Sequence, residues 1–130
     1  MSFLDQNLRN TASAQSTNAF GCAIDAGKGA EYHAAVFANQ PQNEGTGYTI
    51  DLLKQLGKDS GITGAAYDTF EKCVDDAPYL GWGPTVNNYA ATQKVSATPT
   101  IIVNGQKLKK DDYGNQQVLF AAIDKILASN

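Results

Sequence analysis

With 130 residues, 42% of them apolar, the chain is long enough to bury a real core and short enough to be read as a single domain over residues 1–130. A formal net charge of -3, with lysines clustered only at Lys107, Lys109 and Lys110, gives no basic face and argues against nucleic acid as a partner. No window reaches the roughly 18 consecutive apolar residues of a membrane helix, and Met1-Ser2-Phe3-Leu4-Asp5 lacks the charged start and apolar run of a signal peptide.

Residues 1–4 are apolar without helical period and read as the end of a strand. Asn10, Thr11 and Ser13 then offer N-caps for a helix over residues 12–26, whose inner face is Ala19, Phe20, Ala23 and Ile24 and which Gly27 stops. A second helix is expected over residues 30–39, with Tyr32, Ala35, Val36 and Phe37 near one stripe, followed by a loop over residues 40–47. Thr49 caps a third helix carrying Ile50, Leu52, Leu53 and Leu56, with Gly57 and Gly61 as its interruptions. Thr63 caps a fourth, with Ala66, Phe70, Cys73 and Val74 on its face, ended by Ala77-Pro78. The fifth is expected over residues 84–94 with Pro84 in its first turn.

The run Val95-Ser96-Ala97-Thr98-Pro99-Thr100-Ile101-Ile102-Val103-Asn104-Gly105 changes the pattern. Thr100, Ile101, Ile102 and Val103 have the composition of a buried strand, and a proline is tolerated in a sheet at a strand's first position or on an edge, so the strand opens at Pro99. Asn104-Gly105 supplies the two positive-φ positions of a tight turn, so residues 106–109 should return antiparallel. The last helix spans residues 116–128, with Val118, Leu119, Ala122, Ile123, Ile126 and Leu127 at helical spacing, and should pack on the sheet. Five helices between two strand-like pieces argue an α/β or α+β fold with a helical insert.

Few side chains have the patterns that chemistry requires. Cys22 and Cys73 lie too far apart for a local redox motif and are too few for a zinc site with both ligand pairs from cysteine; each falls on the apolar side of a helix, as a buried thiol or as half of a bridge. His33, the one histidine, has no cysteine at a helix start beside it and reads as a surface imidazole. The adjacent pairs Asp75-Asp76 and Asp111-Asp112 diverge rather than converge and read as solvated turns. No calcium loop and no phosphate-binding glycine run occurs, so no metal and no cofactor is expected. Trp82, set between Gly81 and Gly83, reads as a core anchor.

The Thr98-Pro99-Thr100 opening, the β-branched strand, the Asn-Gly hairpin and the final helix, in that order, resemble the C-terminal half of a thioredoxin fold, and more closely the DsbA-like thiol-disulfide oxidoreductases. The resemblance implies an α/β, thioredoxin-like fold in which residues 5–94 form an all-helical insert, while residues 1–4 and 95–130 belong to the thioredoxin framework. It further implies a cis bond before Pro99 and a substrate-binding role for Thr98 and Pro99, whose loop pairs with the backbone of an extended peptide or unfolded protein.

The same family performs disulfide formation or exchange outside the cytoplasm, as secreted or membrane-anchored proteins. In such an oxidising compartment the resemblance implies a structural disulfide between Cys22 and Cys73. The family's Cys-X-X-Cys is absent from the sequence, so no catalytic residue is assigned and the chain alone is expected to be inactive. The reading is then of a fragment that lacks the family's first strand and active-site helix, with sheet edges open to homo-oligomer formation. The alternative is a non-catalytic peptide-binding or structural thioredoxin-like module.

Overall fold

The computed structural model describes residues 11–43 and 46–129. The strand end expected at residues 1–4, the candidate cap Asn10 and two residues of the loop at 40–47 lie outside the described residues. The described residues fall into two compact units divided between Asn88 and Tyr89.

The first unit is helical: α1 (Ala12–Asp25), α2 (Gly29–Ala38), α3 (Ile50–Asp59) and α4 (Ala65–Asp76), followed by the start of α5 (Trp82–Thr92), which runs across the division. Of the candidate caps for α1, Thr11 is the one used, its hydroxyl accepting the Ala14 N–H at 3.3 Å. Thr49 caps α3 in the same way through Leu52 N–H at 3.2 Å. Helix α1 ends in a Schellman arrangement at Gly27 (φ 71°), with Gly27 N–H donating to Ile24 O and Lys28 N–H to Ala23 O. Its core is Ala19, Cys22, Ala23, Tyr32, Leu53, Leu56, Ile62, Phe70 and Val74.

Several expectations for these helices fail, among them Ile24, expected on the inner face of α1 and 48% exposed. Gly57 does not interrupt α3; the helix runs through it to Asp59, because the Phe70 ring occupies the space a side chain would need, 2.3 Å from the position of a Cβ. The true stop is Gly61 (φ 85°), where Ile62 N–H reaches back to Gly57 O and the Ile62 side chain is buried. Gly64, not Thr63, is the cap residue of α4, and Ala66 is exposed while Tyr67 packs beside Phe70, their ring centroids 6.0 Å apart. Phe37, expected on the inner stripe of α2, is exposed, and Tyr32 alone of that stripe is fully buried, its hydroxyl donating to Leu53 O at 2.9 Å.

Buried Asn18 joins α1 to the end of α4. Its amide donates to Val74 O at 3.3 Å and its oxygen accepts the Tyr79 N–H at 2.9 Å, so a polar side chain inside the unit has both ends satisfied.

The second unit contains β1 (Ile102–Val103), β2 (Gln106–Lys107), a 3-10 turn (Lys110–Tyr113) and α6 (Gln116–Ala128). The hairpin is antiparallel with Ile102 opposite Lys107 and Val103 opposite Gln106, and Asn104 (φ 48°) and Gly105 (φ 77°) form its turn. Both strands are shorter than the sequence suggests, although Leu108 N–H still bonds Ile101 O at 2.9 Å. The burial expected of the strand is not present. Ile102 is half-exposed, since among the described residues the sheet has two strands and nothing pairs with its outer edges.

Helix α6 has the bounds expected, capped by Asn115, whose side chain accepts Val118 N–H at 3.0 Å. It packs on the 3-10 turn and buries Ile126, while Phe120 and Leu127 stay exposed.

Candidate functional site

The loop carrying Thr98 and Pro99 begins where α5 ends. Lys94 adopts a left-handed conformation (φ 57°), and Lys94 N–H and Val95 N–H return to Ala91 O and Ala90 O, closing the helix and turning the chain into residues 95–100. The Thr98–Pro99 peptide bond is cis. The Thr100 hydroxyl donates to Ala97 O at 2.5 Å, bracing the two sides of that bond, and the Tyr113 hydroxyl donates to Pro99 O at 3.4 Å from the 3-10 turn. The Lys107 ammonium reaches Lys94 O at 3.4 Å from β2.

Thr98 and Pro99 themselves are exposed, and among the described residues neither backbone group of Thr98 has a hydrogen-bond partner. An exposed residue braced on both sides, whose N–H and C=O have no partner among the described residues, can pair with an extended chain as another strand would. The sequence names Thr98 and Pro99 as candidates through a resemblance but gives no signal for the contacts of Tyr113 and Lys94 with their loop.

Cys22 and Cys73 form a disulfide that ties α1 to α4, with Cα atoms 5.8 Å apart across 51 positions of sequence. Cys22 is fully buried and Cys73 partly so. Both sit well inside their helices, away from the N-termini that lower a thiol pKa. The bridge takes up both cysteines of the sequence, leaving no thiol for exchange chemistry.

The remaining candidates are placed by their contacts. His33 stands between Phe20, at 5.9 Å, and Phe37, at 4.6 Å between ring centroids. Phe20 in turn stacks on Trp82 at 6.1 Å, and these rings line an open cleft of about 600 Å³ in the helical unit. Trp82 is therefore the first residue of α5 and 38% exposed, rather than a buried anchor. Asp75 accepts from Lys54 at 2.9 Å, which raises the pKa of that ammonium, and Asp76 pairs with Lys72. Asp112 is more than a solvated turn residue: its carboxylate accepts the Lys109 N–H at 2.8 Å.

Among the described residues no group of three or more His, Cys, Asp or Glu side chains could hold a metal ion, and no helix is long and apolar enough to cross a membrane. The family model described as Thioredoxin matches residues 2–125. No curated protein and no solved structure matches the chain.

Proposed function

The chain belongs to the thioredoxin family, and from that premise we propose that it is the substrate-binding part of a DsbA-like thiol-disulfide oxidoreductase acting on extracytoplasmic proteins. The observation that carries this reading is the exposed backbone of Thr98, unpartnered among the described residues, beside Pro99 in a loop braced by Thr100 and Tyr113. An extended peptide or unfolded protein would add its backbone there, and a Cys-X-X-Cys thiolate from outside these 130 residues would attack the substrate disulfide. Cys22–Cys73 holds the helical unit together and takes no part in the exchange.

A second reading is a peptide-binding or structural module without catalysis, favoured by the engagement of both cysteines in one bridge inside the helical unit. Both readings give this polypeptide no turnover of its own. Insulin reduction and dithiol-peptide oxidation are expected at the buffer rate, and thiol titration of the denatured, unreduced protein should find no thiols. Turnover that Cys22→Ser abolishes would overturn the structural assignment of the bridge. The outer edges of β1 and β2, unpaired among the described residues, further favour association of two copies by strand pairing. Light scattering should show a concentration-dependent dimer; a strict monomer contradicts that part of the reading.

A further inference from the structure

The formal charge of the chain conceals an uneven division. Up to Asn88 there are ten acidic and five basic side chains, whereas from Tyr89 onward five basic side chains stand against three acidic ones, a net of +2. Every ion pair between described residues belongs to the first unit, where Lys28, Lys54 and Lys72 are neutralised by Glu31, by Glu71 and Asp75, and by Asp76. In the second unit Lys94, Lys107, Lys109, Lys110 and Lys125 form no ion pair with a described residue.

Three of these lysines, Lys94, Lys107 and Lys110, belong to the loop carrying Thr98 or to the elements that brace it. Lys94 is the residue that starts it, and Lys107 bonds the Lys94 carbonyl from β2. Lys110 opens the 3-10 turn whose Tyr113 holds Pro99 O. Lys107, Lys109 and Lys125 line a hollow of about 310 Å³ between the hairpin and α6. The opposing charges are Asp111 and Asp112 in the 3-10 turn and Asp124 on α6, and one Asp112 oxygen is engaged by the Lys109 N–H.

We propose that the Thr98 site selects extended peptides rich in Asp and Glu, the backbone pairing with Thr98 and the acidic side chains meeting Lys94, Lys107 and Lys110. This rests on the peptide-binding reading of Thr98 and adds the substrate's charge to it. Backbone pairing gives affinity without regard to sequence, and unneutralised ammonium groups beside it supply the preference. Such a preference is electrostatic at an exposed surface, so it is strongest at low ionic strength and fades as the screening length falls from about 10 Å at 0.1 M salt to about 3 Å at 1 M.

The test is an NMR titration of the isotope-labelled chain with three unlabelled extended peptides of one length, differing only in Glu, Gln or Lys at alternate positions. The Glu peptide is expected to shift the amides of residues 96–100 and to bind about fivefold more tightly than the Gln peptide at low salt, with the Lys peptide weakest. The difference should close at about 1 M salt. Lys107→Gln with Lys110→Gln should bring the Glu-peptide and Gln-peptide affinities together, the readout being their ratio; a ratio that stays near fivefold overturns the assignment to these lysines. Equal binding of all three peptides at residues 96–100 overturns the charge selection and leaves the peptide site standing. Shifts confined to other residues, or no binding of any peptide, overturn both.

Discussion

The helical unit and the C-terminal unit use their apolar residues in opposite ways. The first gathers Tyr32, Leu53, Leu56, Ile62, Phe70 and Val74 around a disulfide and satisfies the fully buried amide of Asn18 at both ends. Among the described residues the second buries Leu108 and Ile126 alone, leaving Ile102, Phe120 and Leu127 more than half exposed and Thr98 without backbone partners. Low local packing and unsatisfied backbone are costs to stability, and they are also what a surface needs if it is to accept another chain. The candidate site thus sits in the loosely packed unit, and the closely packed one holds the bridge.

The largest effect should come from opening the disulfide. Replacing Cys22 and Cys73 by Ala removes a loop closure across 51 positions, and on the chain-entropy model this costs about 4 kcal/mol, read as a lower denaturation midpoint with a steeper slope as the unfolded chain expands. A matched pair of truncations then sharpens the contrast. Leu53→Ala should destabilise by about 3 kcal/mol, whereas Leu127→Ala should change stability by no more than about 0.5 kcal/mol. Equal losses would show that the two units are packed alike.

Asn18→Ala comes next, at about 2 kcal/mol, because it leaves Val74 O and Tyr79 N–H without their partners. Gly105→Ala should cost about 1 kcal/mol, since a Cβ there meets no neighbour and the cost is the positive φ alone. Its expected readout is weakened cross-strand contact between Ile102 and Lys107.

Features set by local chemistry were legible in the sequence. The caps Thr11 and Thr49, the Asn104-Gly105 turn and the bounds of α6 depend on a few consecutive residues, and these carry their own signals. What was misread depends on neighbours distant in the chain. Gly57 looked like a helix stop because its packing partner, Phe70, lies on another helix. Trp82 looked like core because a large ring usually is, yet its stacking partner Phe20 leaves one side open to the cleft. The β-branched run at residues 100–103 has the composition of an interior strand, but burial comes from adjoining strands, and the described residues supply one. At the site, Thr98 and Pro99 were legible through a family resemblance, whereas the brace from Tyr113 and the left-handed Lys94 have no sequence pattern of their own.

The account turns on the Thr98 backbone as the place where an extended chain is held, and amide hydrogen exchange reads that group directly. Without ligand the N–H of exposed Thr98, unpartnered among the described residues, should exchange as fast as in an unfolded chain, while the amides of Leu53 and Leu56 are strongly protected. With saturating extended peptide, Thr98 should become protected and Leu53 should not change. A Thr98 amide already protected in the free protein, or one still unprotected when peptide is bound, would contradict it.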